Sequence, residues 1–139
     1  MLTKPVLTVA ETTRIVDAAR AEAEKNRWPV AIVVVDDGGH PLAVLRLDGA
    51  APATSYIATE KARTAALGRR ETKVYEDMIN NGRTAFLSAP LQGTLEGGVP
   101  VIVDGHVVGA VGVSGVKSEQ DAQIAKAGIQ ALGIQALGV

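Results

Sequence analysis

The apolar positions change period as the chain runs. Behind Thr8-Val9-Ala10-Glu11, a hydroxyl with a carboxylate three residues on, Ile15, Ala18, Ala19, Glu22 and Ala23 follow at helical spacing. That pattern predicts a capped helix over 9–26 whose apolar stripe is mostly alanine. Trp28-Pro29 closes it, because the residue before proline disfavours the α region. The next six residues, 30–35, read VAIVVV. They are too few and too β-branched for a helix and read as a strand buried on both faces. Asp37-Gly38-Gly39-His40 supplies a turn into a second strand over 42–47, giving an antiparallel hairpin.

Ala51-Pro52 breaks the strand pattern, and Thr54 or Ser55 caps a helix to about residue 67 with Ile57, Ala58, Ala62, Ala65 and Ala66 inward. A third helix over 72–79 ends at Asn80-Asn81-Gly82. Residues 84–98 read as a loop with a short edge strand at 85–88. Two further strands, 99–103 and 107–113, flank the hairpin signal Asp104-Gly105. Ser118 then caps the last helix, with the Asp121 carboxylate at its positive end. Ile124, Ala127, Gly128, Ala131, Leu132 and Leu137 form its apolar side, and the near-repeat GIQALGIQALGV closes the sequence. Helix, hairpin, two helices, hairpin, helix, with no linker, describes one α+β domain over 1–139. Strands apolar on both faces require cover by helices, a second subunit, or both.

Composition narrows this. A length of 139 residues suits one domain with a real core. The chain is 47% hydrophobic yet has only one Trp, two Tyr and one Phe, so the core is built from Ala, Val, Ile and Leu and its layers lie close. Fourteen basic against fifteen acidic residues leave a formal charge of −1, which gives no electrostatic footprint for nucleic acid. The absence of cysteine excludes disulfides, thiolate catalysis and Cys-ligated metals. The start, MLTKPVLTVAET, lacks a signal-peptide apolar core. No apolar run approaches the roughly 18 residues that span a bilayer. The expectation is a cytoplasmic protein without membrane contact.

The candidate chemistry centres on GTLEGGVPVIVDGHVVGAVGVSG, residues 93–115. Gly109, Gly112 and Gly115 have the wrong spacing for a dinucleotide loop, and no Gly-Lys-Ser/Thr follows. Gly112-Val113-Ser114-Gly115 is not a nucleophile elbow, and His40 and His106 both sit in turns rather than beside Ser114. Gly109 and Gly112, inside a strand, read as room for packed helices. Glu96-Gly97-Gly98, ahead of Pro100, is different: two glycines beside a carboxylate can offer bare backbone N–H groups to a ligand. Taken singly, Arg46 and Asp48 read as a surface ion pair and Lys61 as a snorkelling surface lysine. Arg63, Arg69, Arg70 and Lys73 cluster where a helix C-terminus favours cations. No His, Asp and Glu set has metal-ligand spacing, although His40 or His106 could ligate haem iron. Spacing alone supports no reaction.

Three stretches together carry a resemblance: VVVDDGGHPLAVLRLDGA, ATEKARTA, and EGGVPVIVDGHVVGAVGVSG with the QDAQIAKAG helix after it. Over about residues 8–134 the chain resembles the GlcG/HbpS family (DUF336), the haem-degrading-like domain also found at the C-terminus of PduO-type proteins. The resemblance implies a profilin-like α+β fold, an antiparallel sheet of about five strands flanked by helices, and homo-oligomers, tetramers or octamers. It implies a small-molecule ligand, in some relatives haem or a corrinoid-related compound, and pathways that break down small organic compounds. The positions that match the family's polar pattern are Arg46, Asp48, Lys61, Glu96, Gly97, Gly98, Ser114 and Asp121. The leading expectation is a small-ligand-binding protein, with metal-free acid/base chemistry on a small organic acid, imine or enol, and no required cofactor. Arg46 or Lys61 would polarise the substrate, and Glu96 or Asp48 would act as base, with Gly97, Gly98, Pro100, Ser114 and Asp121 lining the pocket. The alternatives are a haem- or corrinoid-binding sensor without turnover and an assembly subunit for a pathway enzyme.

Overall fold

The computed structural model describes residues 1–133. In chain order the elements are α1 (Val9–Lys25), β1 (Ala31–Asp36), β2 (Pro41–Arg46), α2 (Ala53–Gly68) and α3 (Thr72–Asn80). A 3-10 turn (Thr84–Ser88), β3 (Gly98–Val103), β4 (His106–Ser114) and α4 (Ser118–Gln130) complete the order. The strands form one antiparallel sheet in the order β2-β1-β4-β3. The α+β architecture is the one expected from the pattern, with four strands instead of about five. The stretch expected as an edge strand at 85–88 is the 3-10 turn. There Phe86 N–H donates to the Arg83 carbonyl at 3.1 Å, and the Phe86 ring stacks on Tyr75 at 4.9 Å, which favours curling over extension.

Helices cover both faces of the sheet. Val30, Ile32 and Val34 point to α1 and α4, where they pack with Ile15, Ala19, Ile124 and Ile129. Ala31, Val33, Val35 and Ala110 point the other way, onto Ala58, Ala62, Ala65 and Ala66 of α2. The second layer is thin because α2 contributes only methyls to it. The register shows how it closes: Val44, Val33, Gly112 and Gly98 form one row across the four strands. A Cβ at Gly112 would collide with the Ala58 carbonyl, and one at Gly98 with the Lys61 carbonyl. Gly112 therefore lets α2 lie on the sheet, as its position inside a strand implies. Gly109 differs, since a Cβ there would strike the Val35 carbonyl and the Leu7 side chain rather than a helix.

The helix ends refine the sequence expectations. The capping box of α1 is present: Glu11 N–H donates to Thr8 Oγ1 at 3.2 Å and Thr8 N–H to Glu11 Oε1 at 2.8 Å. The backbone N–H of Thr8, followed by its hydroxyl, holds the Glu11 carboxyl below its ordinary value. Helix α1 stops at Lys25, before Trp28-Pro29 can act. Arg27 N–H donates to the Glu24 carbonyl and Trp28 N–H to the Ala23 carbonyl, the two bonds of a Schellman turn. Neither Thr54 nor Ser55 caps α2; Thr54 lies inside the first turn and its hydroxyl donates to the Ala51 carbonyl. Ser118 is the first residue of α4, and Lys117 occupies the cap. The buried face of α4 is Asp121, Ala122, Ile124, Ala125, Gly128 and Ile129, so Ala127 and Ala131 lie off it. Leu137 and the second half of the near-repeat fall outside the described residues.

Candidate functional site

Strand directions bring most of the singled-out residues to one end of the sheet. Here β2 leaves at Arg46, β1 enters at Ala31, β4 leaves at Ser114 and β3 enters at Gly98. Arg46, Ala31 and Ser114 are in register, and the Gly97 carbonyl extends the ladder by accepting from Val113 N–H at 3.0 Å. Three strand spacings, about 14 Å, separate Arg46 from the Gly97 backbone.

Lys61 is the residue the structure moves furthest from its surface reading. It is 3% exposed and its ammonium donates to Asp121 Oδ2 and to the Val113 carbonyl, each at 3.0 Å. Position 61 stands three residues after Ala58 and four before Ala65, on the inward side of α2, so helical spacing already held the signal. Asp121 is 2% exposed and turns inward instead of only facing the helix end; its Oδ1 accepts from Val116 N–H at 3.2 Å. Burial pushes the Asp121 carboxyl above its ordinary value, outweighing the Lys61 ammonium and the Val116 N–H that pull it down.

The glycine loop lies on top of this pair. Gly97 has φ +130°, and a Cβ there would sit 2.8 Å from Lys61 Nζ and 2.8 Å from the Val113 carbonyl. Only a residue without a side chain fits between the buried ammonium and the surface. Thr72, buried at the start of α3, fixes the loop from the side: its hydroxyl donates to the Leu95 carbonyl and accepts from Gly98 N–H at 2.9 Å. Glu76 accepts from Glu96 N–H at 3.1 Å. Within Glu96-Gly97-Gly98, the Gly97 N–H is then the one backbone donor without a partner among the described residues. Thr72 and Glu76 escaped the sequence reading, because neither lies in a motif and both act through a loop 20 or more residues away.

Glu96 opens onto a hollow of about 450 Å³ shared with Glu22, Glu119, Gln123 and Lys126. Glu22 accepts from Gln123 Nε2 at 2.6 Å, and Lys126 is paired with Glu71 at 3.3 Å. Glu96 and Glu119 make no ion pair among the described residues. Lys61, Asp121, Gly97, Gly98 and Glu96 are thus brought together. Pro100 is buried further along β3, opposite Ala110, and Ser114 is the buried last residue of β4. Arg46 and Asp48 stand at the β2 side, both exposed and not paired with each other. Asp48 opens onto a separate hollow beside Arg27 and Trp28.

Both histidines lie at the opposite end of the sheet. His40, its side chain 79% exposed, places Nδ1 3.1 Å from Asp36. His106 borders a hollow of about 420 Å³ with Lys4, Asp37, Arg69, Ile102 and Val107. Either ring could supply an axial nitrogen. Yet Lys4 is already paired with Asp37, and one Arg69 nitrogen donates to the Asp37 carbonyl. Ile102 and Val107 are cross-strand partners, so within one chain they give the hollow a single apolar wall. Among the described residues no group of three or more His, Asp or Glu is placed to hold a metal ion, and no helix is long and apolar enough to cross a membrane.

Comparison with known proteins agrees with this architecture. Residues 7–130 match the family model described as haem degrading protein HbpS-like. The chain is 61% identical to Protein GlcG of Escherichia coli K12 over 114 residues, 82% of this chain and 85% of that one. The crystal structure of a double mutant of Streptomyces reticuli HbpS superposes with a TM-score of 0.87 at 34% identity, covering 96% of this chain and 92% of that one. A PduOC:heme complex superposes with a TM-score of 0.86 at 28% identity, covering 95% and 99%.

Proposed function

We propose, starting from a chain that belongs to the HbpS-like family, that it binds a small organic ligand in the hollow at Glu96 and that the ligand is the protonated imine of its class. One observation carries this: Glu96 and Glu119 bring to the hollow two carboxylates without ion-pair partners among the described residues, beside a loop pinned from beneath by Lys61 and Asp121. Such a lining repels a free carboxylate and attracts a cation. A protonated imine carbon is already electrophilic. Glu96 then serves as general base: it takes a proton from water as the water oxygen bonds to the imine carbon, and the C=N π pair moves to nitrogen. Gly97 N–H is a donor for a ligand oxygen. Lys61 acts behind the loop as a positioning residue, its ammonium being committed to Asp121 and Val113. Arg46 and Asp48, across the sheet, stand outside this hollow.

Calorimetric titration with acetamidinium, a stable stand-in for the protonated imine, tests the binding. Acetamidinium is expected to bind at least about tenfold more tightly than acetate, with Glu96→Gln losing that preference. Where turnover is assayed, Glu96→Gln should lower kcat by about a hundredfold or more. Folded Glu96→Gln and Lys61→Met variants that keep full binding would sink the reading. A second reading, haem binding without turnover, is favoured by the haem in the PduOC structure. Haemin titration separates it: a Soret shift abolished by His40→Ala with His106→Ala supports histidine ligation, and an unshifted Soret band removes it. Self-association belongs to the same proposal, supported by Leu42 and Val44 exposed on β2. Light scattering on Val44→Glu would show smaller particles than the parent protein if that face is used.

A further inference from the structure

Two helices of this chain end with an arginine where a glycine would be at ease. Arg27 after α1 has φ +58° and Arg69 after α2 has φ +60°. In both, the flanking amides make the paired bonds of a Schellman turn: Arg27 N–H to Glu24 with Trp28 N–H to Ala23, and Arg69 N–H to Ala66 with Arg70 N–H to Ala65. A left-handed residue with a Cβ is a strained choice at that position, and glycine is the low-cost one. Arg69 has an evident use for its side chain, since its Nη1 donates to the carbonyls of Asp37 and Ala66. Arg27 has none among the described residues. Backbone strain held for a side chain without an internal partner points to a partner outside the chain.

The surroundings of Arg27 say what that partner is. Arg27, Trp28, Pro29, Leu47 and Asp48, with Arg20 and Glu24, line a hollow of about 450 Å³. Arg20 Nε and Glu24 pair at 2.7 Å and neutralise each other. That leaves one cation, Arg27, and one carboxylate, Asp48, neither in an ion pair among the described residues, facing the same space. Trp28 is half-buried, with Trp28, Pro29 and Leu47 giving apolar walls. A fork of N–H donors, a carboxylate acceptor and an indole lining one hollow match a flat ligand that carries both a carboxylate and a hydroxyl.

We infer that this hollow is a second ligand site, distinct from the one at Glu96, and that it takes an aromatic hydroxycarboxylate. Arg27 receives the carboxylate, the ring lies against Trp28, and Asp48 accepts from the hydroxyl. The site does not depend on the chemistry proposed at Glu96.

Trp28 is the only tryptophan in the chain, so all tryptophan emission reports on this site. The test is titration with 4-hydroxybenzoate, followed by tryptophan-selective fluorescence and by calorimetry. Saturable quenching is expected. 4-Hydroxybenzyl alcohol, which lacks the carboxylate, should bind at least about tenfold more weakly. Arg27→Gly should weaken 4-hydroxybenzoate binding by about tenfold or more while its thermal midpoint stays level or rises, because the glycine relieves the backbone. Loss of binding with retained or improved stability is an outcome that a purely structural arginine does not produce. The same variant should still bind acetamidinium at the Glu96 hollow, so the two sites fail separately. The inference is overturned if 4-hydroxybenzoate does not bind at millimolar concentration, if the alcohol binds equally well, or if Arg27→Gly binds as the parent does.

Discussion

Replacing Lys61 by methionine keeps a long apolar stem in α2 and removes only the ammonium. The Lys61 and Asp121 side chains are 4% and 3% exposed, so solvent does little to screen the loss. Asp121 would retain the Val116 N–H but no counter-charge. Removing one partner of a buried pair costs about 3–5 kcal/mol, a large part of the about 5–15 kcal/mol that holds a domain together. With a urea slope of about 2 kcal/mol per molar, the unfolding midpoint should fall by about 2 M. The loss should also depend on pH. Burial already holds the Asp121 carboxyl above its ordinary value, and without Lys61 it rises further. A carboxyl whose pKa is higher folded than unfolded lends stability below the unfolded value, about 4, and loses it as pH climbs through the folded value. The gap between parent and variant should therefore be small near pH 4 and widen toward pH 7. Lys61→Met combined with Asp121→Leu removes both charges and should recover most of the loss, to within about 1.5 kcal/mol of the parent. A midpoint shift under about 0.5 M, a gap flat with pH, or a double variant no better than the sum of its singles would refute the coupling.

Gly112→Ala should be among the most damaging one-carbon changes available, since the new methyl meets the Ala58 carbonyl rather than a movable side chain. A cost of about 3 kcal/mol or more is expected by urea denaturation. Glu11→Ala breaks the capping box of α1 and should cost about 1 kcal/mol at pH 7. Because the Thr8 donors hold the Glu11 carboxyl below its ordinary value, that contribution is present above the unfolded carboxylate pKa and lost as pH falls through the folded one. Parent and Glu11→Ala should thus converge in stability in acid, as read by thermal melts across pH. Phe86→Ala removes the ring stacked on Tyr75 and should loosen residues 84–88, seen as faster amide exchange there, while the sheet stays protected.

Which parts of this structure were legible beforehand follows from how local their causes are. The α1 cap, the turn at Asp104-Gly105 and the strand 30–35 depend on neighbours within a few residues, and the hydrophobic period exposes them. The 85–88 segment departs from the strand its sequence suggests because Phe86 stacks on Tyr75, which lies in α3. Lys61 reads as a surface lysine because a charged residue is by default exposed, Asp121 reads as a helix-end carboxylate, and their meeting spans 60 positions. The EGGVP stretch stood out for its glycines. What could not be read from it was that Gly97 is shaped by the ammonium below it, or that Thr72 and Glu76 take up two of the loop's amides.

The placement of Lys61 and Asp121 answers a problem posed by the rest of the core. On the α2 face, alanines lie over a row in which two of four positions are glycine. Methyl groups on bare backbone pack closely but interlock weakly, so a helix could slide along such a surface at small cost in buried area. An ammonium that must meet both the Val113 carbonyl and Asp121 has no such freedom. It fixes α2 along its axis against β4 and, through Asp121, sets the start of α4. The same ammonium bounds the space that Gly97 fills, so the position of α2 is transmitted to the Glu96 loop. Stability and site geometry should then separate in the Lys61→Met, Asp121→Leu double variant. It would regain most of its unfolding free energy as an apolar core, yet weaken the acetamidinium preference, because Thr72 and Glu76 then hold the loop from the side with no ammonium beneath it.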